Sequence, residues 1–237
     1  MREPKYKRVL LKISGEALAG DAHRGLDFAV IGGVCDVIKQ CVEAGVQVGV
    51  VVGGGNFWRG VKDGGGKMER TRADHMGMLA TVINALALSD ALDRQGVDNR
   101  VMTALAIDKI GEPYNVKTAK RYLSDGKVVV FGGGTGSPFF TTDTGASLKA
   151  CEIQAEVLLL AKNIDGIYDS DPKTNPNAKK FDTLTYDEYV EKGLRALDTS
   201  AVVMCKENGL KIHAFGNLNE NSIVNAVFAD SDGTVVY

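Results

Sequence analysis

The sequence predicts an α/β protein, a three-layer α/β/α sandwich around a mostly parallel sheet. Short β-branched runs alternate with longer helical stretches along the chain, and several of those runs are apolar on consecutive residues. Consecutive apolarity suits strands covered on both faces, which is the condition of parallel strands flanked by helices. Repetition of strand, helix, strand then implies right-handed crossovers, with helices on both sides of the sheet.

In chain order the strands fall at Val9–Ile13, Val46–Val52, Arg100–Leu105, Lys127–Phe131, Val157–Ala161, Lys211–Phe215 and Thr234–Tyr237. The helix after the first, Phe28–Glu43, sets Ile31, Val34, Ile38 and Cys41 on one face at i, i+3, i+4 spacing, and Gly45 supplies its stop. A longer helix, Asp74–Gln95, carries Met76, Leu79, Val82, Ile83, Leu86 and Leu92 on a broad apolar face. Thr144–Ala155, Tyr186–Lys192, Ala201–Asn208 and Asn221–Ala229 complete the helices. No Pro-rich or Ser-rich linker interrupts residues 1–237, which read as a single domain.

Charge and composition exclude several classes of function. The chain has 28 Lys+Arg against 30 Asp+Glu, a formal charge of −2, so no basic excess points to nucleic acid or an anionic membrane as partner. No window reaches the ~18 uninterrupted apolar residues of a bilayer span. Cys35, Cys41, Cys151 and Cys205 have no paired spacing, and only His23, His75 and His213 accompany them. They read as reduced, packed thiols rather than as zinc ligands or disulfides. The start, Arg2 to Arg8, is basic, but the apolar run behind it is short, so the expectation is a cytoplasmic protein.

Glycine is in excess: 28 residues, about 12% of the chain against a usual ~7%. Ser14-Gly15-Glu16, Gly53-Gly54-Gly55 and Gly132-Gly133-Gly134-Thr135-Gly136 each follow a strand. Ligands of open parallel sheets bind beyond the carboxyl ends of the strands, where glycine lets backbone N–H groups approach phosphate oxygens. One glycine pair would be only a tight turn; three such loops along one sheet edge point to an anion site. The familiar phosphate motifs are absent. Gly66-Lys67-Met68 and Gly126-Lys127-Val128 lack the Ser/Thr of a Walker A loop, the triplets are not G-x-G-x-x-G, and no His-Arg-Asp or Asp-Phe-Gly occurs.

Charged residues stand beside these loops. Lys12 lies inside the apolar strand Val9-Leu-Leu-Lys-Ile, where an ammonium needs either an anion or a route to the strand end. Arg59 follows the triplet by four residues, and its planar fork suits phosphate; Phe57 and Trp58 beside it read as core or as base-stacking groups, with core preferred. In Thr135-Gly136-Ser137-Pro138-Phe139-Phe140-Thr141-Thr142-Asp143 a proline stiffens the chain and two aromatics offer flat apolar area. Thr142 or Asp143 is placed to cap the next helix, whose N-terminus itself favours anions. Asp165-Gly-Ile-Tyr168-Asp-Ser-Asp171-Pro is a turn-rich acidic loop, ordinary alone, but beside a phosphate cluster suited to Mg²⁺ or ribose.

These segments, with Asp74-His-Met-Gly-Met-Leu-Ala-Thr, resemble in order, from Lys7 to Val235, the bacterial UMP kinases (uridylate kinases) of the amino-acid-kinase superfold. The resemblance implies transfer of the γ-phosphoryl of ATP to UMP with Mg²⁺, an N-terminal lobe binding UMP and a C-terminal lobe binding ATP. It marks Lys12, Asp143 and Arg59 as catalytic, and Gly54, Arg59, Asp74 and the segment Thr135 to Thr142 as the UMP site. Lys12, Ser14, Gly15, Gly55, Arg59, Tyr168 and Asp171 fall on the ATP side, with Asp143 and Asp198 near the metal. Where some members carry Thr at a strand-end nucleotide contact, this chain reads Ala161-Lys162-Asn163, so Lys162 and Asn163 take that place. A homohexamer activated by GTP and inhibited by UTP is the further implication. Two rivals share the scaffold: a kinase of carboxylate or carbamate acceptors, and a non-catalytic nucleotide or oxyanion store.

Overall fold

Strand β1 (Arg8–Ile13) is the middle member of a nine-stranded sheet. On one side follow β2 (Gln47–Val52), β5 (Val128–Gly132), β3 (Asn99–Thr103) and β4 (Glu112–Pro113). On the other follow β6 (Val157–Lys162), β10 (Lys211–Gly216), β11 (Thr234–Val236) and β9 (Thr183–Leu184). Every neighbouring pair is parallel except β10 with β11. β7 (Ile167–Tyr168) and β8 (Lys180–Phe181) form a separate antiparallel pair. The computed structural model describes residues 3–59, 63–64, 66–162, 164–216, 220–229 and 233–237.

Side chains alternate across a strand, so β1 feeds two cores. Val9, Leu11 and Ile13 pack with α1 (Phe28–Glu43), α2 (Arg70–Arg94) and α7 (Glu220–Phe228). Leu10 packs on the other face with α3 (Val116–Ser124), α4 (Thr142–Glu152), α5 (Tyr186–Glu191) and α6 (Thr199–Glu207). Lys12, two residues beyond Leu10, faces the same way as Leu10, toward α4. The register sets it between Val51 of β2 and Leu160 of β6, at the carboxyl end of the central strands. That parity is what delivers a lysine to the site.

Each of the seven sequence-predicted strands forms, with ends moved by a residue or two. The two-residue strands β4, β7, β8 and β9 were not expected, and neither were α3 and the 3₁₀ segment Gly15–Ala22. α3 buries only Ala119 and Leu123, too few to register as a period, and is started by Asn115, whose side chain accepts from Lys117 and Thr118 N–H. α1 matches its predicted bounds: Asp27 caps it, and Gly45 follows the last turn at φ +83°, a conformation glycine adopts without strain.

Helix starts differ from expectation most at α2, and at α4 the capping residue changes as well; α6 and α7 start two and one residues early. α2 begins at Arg70 rather than at Asp74, which lies one turn inside and is joined to Arg70 by an i, i+4 ion pair at 2.8 Å. The cap of α4 is neither Thr142 nor Asp143 but Thr141, whose hydroxyl accepts from the N–H groups of Asp143 and Thr144. Thr141 is the last residue in the extended conformation that an N-cap requires, which leaves the Asp143 carboxylate free to face inward.

Among the described residues one helix, α2, is long and apolar enough to cross a membrane by length and composition. Its inner residues Ala85, Leu88 and Leu92 belong to the first core, while Met76, Leu79, Ile83 and Leu86 are exposed along its outer face. All four cysteines are free. Burial pushes the thiols of Cys35, Cys41 and Cys205 up to about 12, so they behave as small apolar groups.

β6 is buried on both faces, and Leu159 there is fully enclosed. Leu159→Ala is expected to cost about 2–5 kcal/mol, read as a lowered urea midpoint at unchanged slope; a midpoint equal to wild type would contradict this packing.

Candidate active site

The loop after β2 comes close to α2. A Cβ on Gly54 would lie 2.8 Å from both Ala80 Cβ and the Gly77 carbonyl oxygen, so only glycine allows this approach. The reciprocal condition is met on the helix by Ala73, Gly77 and Thr81, small residues spaced by one turn. A buried pair, Asn56 and Asn84, locks the arrangement. Asn84 donates to Gly53 O at 2.6 Å and to Asn56 Oδ1 at 2.7 Å, and Asn56 donates to Gly25 O at 2.6 Å.

The loop after β5 joins from the other side. Gly133, Gly134 and Gly136 have φ of +84°, +60° and +79°, and the Gly133 N–H donates to Thr81 Oγ1 at 2.7 Å. Between these loops and α2 lies a cavity of about 400 Å³. It brings together Gly54, Gly55, Arg59, Asp74, Thr135, Ser137, Phe140, Thr141 and Thr142, all singled out in the sequence. Gly136, Pro138 and Phe139 do not line it. Gly136 packs against Ala104, and Phe139 instead donates its N–H to Asp74 Oδ2 at 2.8 Å. Phe57 and Trp58 are not core as expected. Phe57 is exposed, and Trp58 lines the cavity with its indole N–H on Ala73 O at 2.8 Å.

Arg59 forms an ion pair with Glu16 and borders both this cavity and a neighbouring one of about 320 Å³ with Gly55, His23 and Arg24. Ser14 and Gly15 form the turn after β1. A Cβ on Gly15 would stand 2.6 Å from Gly53 O, so the first two glycine loops touch through backbone.

A further cavity, of about 550 Å³, opens on the other side of β1. Lys162, Tyr168 and Asp171 line it, with Lys192 and Arg195 from the segment after α5. Asn163 lies outside the described residues.

Lys12 and Asp143 line neither cavity but stand beside residues of both, Thr142 of the first and Lys162 of the second. The Lys12 Nζ lies 2.9 Å from Oδ1 of Asp143, with both side chains largely buried. That oxygen has no aligned hydrogen bond in spite of its burial. Lys162 feels the charges of both Asp143 and Lys12, and its ammonium donates to the Ala196 carbonyl. Burial is the largest influence on Lys162 and lowers its pKa below the ordinary 10.5.

Asp198, expected near a metal, has three hydrogen-bond donors around it within the protein. Its Oδ2 accepts from the hydroxyls of Thr141 and Thr144, and its Oδ1 accepts from Ala201 N–H at 2.8 Å as the cap of α6. It therefore pins the N-terminus of α4, and with it Asp143, to α6. Among the described residues no group of three or more His, Cys, Asp or Glu could hold a metal ion.

The roles of Thr81, Asn56 and Asn84 were not seen in the sequence. For Asn84 a signal existed: an amide on the apolar face of a helix is costly unless it is bonded. The others gain their meaning only from the folded neighbourhood.

Glycine-lined loops, two threonines at a helix start, and buried cations at the carboxyl edge of a parallel sheet define a site for phosphate-bearing ligands. The chain belongs to the amino acid kinase family, whose description, Amino acid kinase family, matches residues 7–216. Among solved structures it is similar to the UMP kinase of Bacillus anthracis, with 34% identity, a TM-score of 0.91, and 98% of this chain and 96% of that one covered. The UMP kinase of Ureaplasma parvum is similar at 35% identity and TM-score 0.91, covering 100% and 99%. The uridylate kinase of Archaeoglobus fulgidus follows at 27% identity and TM-score 0.75, with both chains covered at 100%.

The lowered Lys162 pKa sets the sign of a pH effect. A cation that loses its proton below 10.5 stops attracting phosphate as pH rises toward that value. Calorimetric titration with ATP is expected to show affinity falling across that alkaline range, with Lys162→Met weaker at neutral pH and flatter. Wild-type affinity that stays level up to 10.5 would contradict the placement.

Proposed function

We propose that this chain transfers the γ-phosphoryl group of ATP to UMP, giving UDP and ADP. One observation carries the reading: a largely buried ion pair, Lys12 with Asp143, stands next in chain to Thr142 of one cavity of nucleotide-holding size and within electrostatic reach of Lys162 of a second. The similarity to UMP kinases over nearly the full chain supports UMP as the acceptor.

The acceptor phosphate has a second pKa of ~6, so it is a dianion at neutral pH and needs no general base. What opposes reaction is repulsion between two polyanions, together with the entropy of alignment. Lys12, at the end of the central strand, faces the charge that develops on the transferring group, where a preorganised cation is worth most. Arg59 and the Gly54 backbone hold the acceptor phosphate. Asp74 takes the ribose hydroxyls, and Thr135, Ser137, Thr141 and Thr142 close around uracil and phosphate, with Trp58 and Phe140 as flat walls. Ser14, Gly15 and Gly55 face the ATP phosphates with Lys162 at the strand end, while Tyr168 and Asp171 receive the adenosine side. In this reading the chain is one domain with two lobes, the N-terminal holding UMP and the C-terminal ATP.

The residues fit Mg²⁺. This ion keeps most of its waters and is held by one or two carboxylates plus substrate phosphates, so no protein cage is required. Asp143, with its buried and unaligned Oδ1, would hold it. When bound with ATP it supplies neutralising charge at the β- and γ-phosphates. Asp198 also holds Thr141 and Thr144, and with them the start of the helix that carries Asp143.

We carry GTP activation, UTP inhibition and a homohexamer into the proposal from the resemblance. The exposed stripe Met76, Leu79, Ile83 and Leu86 on α2 supports self-association, since apolar patches of this kind suit another protein surface. The buried, protonated thiols suit a reducing compartment such as the cytoplasm.

Coupled ADP release, run with UMP, CMP, N-acetylglutamate and carbamate and repeated with GTP or UTP, tests the proposal. UMP is expected to be the preferred acceptor, and Asp74→Asn to raise its KM by roughly tenfold with kcat nearly unchanged. Release driven by acetylglutamate or carbamate in place of UMP would overturn the reading.

A further inference from the structure

We infer that Arg70 is a positioning residue for the acceptor site, orienting the Asp74 carboxylate and seating the aromatic loop beside it. The inference rests on the reading of Asp74 as the group that takes the ribose hydroxyls.

Arg70 is the first residue of α2, and its Nε lies 2.9 Å from Asp74 Oδ1 and 2.8 Å from Oδ2. Both carboxylate oxygens are thus tied to one donor, which fixes the plane of a group that otherwise rotates about two side-chain torsions. The pair is asymmetric in exposure. Asp74 is 12% exposed at the cavity wall, and Arg70 is 45% exposed outside it. Arg70 therefore supplies countercharge from behind, without occupying the space a ligand needs.

The same guanidinium reaches the loop after β5. Its central carbon stands 5.3 Å from the ring centroid of Phe139, within the range of cation–π attraction. The Phe139 N–H donates to Asp74 Oδ2, so Arg70, Asp74 and Phe139 close a three-membered ring of contacts. Phe139 has φ of +70°, a left-handed backbone that a bulky side chain rarely adopts. It is 65% exposed and does not line the cavity, whereas its neighbour Phe140 does. Anchoring Phe139 to Arg70 on the outer side is what turns Phe140 to the wall. Arg70 thereby couples the helix that reads the sugar to the loop that encloses the base, and does not itself line the cavity.

The test is a double-mutant cycle on the full-length enzyme, with initial rates measured against UMP and against dUMP. Arg70→Ala is expected to raise KM for UMP roughly five- to tenfold, with kcat within about twofold, and to lower the preference for UMP over dUMP. In the Asp74→Asn background the same substitution is expected to raise KM by only about twofold, because the carboxylate it orients is gone and only its contact with Phe139 remains to be lost. A purely structural role would multiply the two effects. Multiplying effects, or a fall in kcat with KM intact, would overturn the inference while leaving the ribose reading in place. An Asp74→Asn enzyme with wild-type KM would remove the ribose reading and this inference together.

Discussion

The ion pair between Lys12 and Asp143 is the constraint around which the site is organised. A lysine in the middle strand of a sheet covered on both faces is costly without an anion, because its ammonium must leave water. Here the cost is offset at the strand's carboxyl end, where α4 presents Asp143 at 2.9 Å. Strand parity turns Lys12 toward α4. The Thr141 cap sets where α4 begins, and the helix start favours a carboxylate in its first turn. A cation held this way is already oriented before any charged ligand arrives.

Around that pair the structure relies on close backbone approach. Gly54 sits against Gly77 and Ala80, Gly15 against Gly53, and the left-handed glycines after β5 bring the Thr135–Thr142 loop over α2. Buried amides and hydroxyls make these approaches specific, with Asn84 on Gly53, Thr81 under Gly133, and Asp198 gathering Thr141 and Thr144. Satisfied polar groups in a dry interior rigidify, since each has no better partner available. Binding residues are therefore carried by loops whose anchor points lie in helices and in the central sheet.

The legible part of this architecture was the part written in periodicity. Seven apolar runs located seven strands, and the evenly spaced Ile31, Val34, Ile38 and Cys41 located α1 to the residue. Strands of two residues carry too little pattern to see, and α3, with only Ala119 and Leu123 buried, reads as surface. The start of α2 was placed late because Arg-Thr-Arg-Ala has neither a capping side chain nor an apolar repeat; the Arg70–Asp74 pair stabilises that turn instead. Site residues were legible where glycines, hydroxyls and charges cluster in sequence. Those whose role depends on a distant partner were not. Arg70 faces Phe139 across sixty-nine positions, Lys162 meets the carbonyl of Ala196, and nothing local announces either contact.

The account depends on Lys12 acting on the transferring group rather than merely filling the space beside α4. Single-turnover transfer from γ-labelled ATP to UMP by Lys12→Met, with both nucleotides' affinities measured calorimetrically on the same preparation, tests this most directly. The account predicts that both nucleotides still bind and that the transfer rate falls by roughly a hundredfold or more. Transfer at the wild-type rate would contradict it.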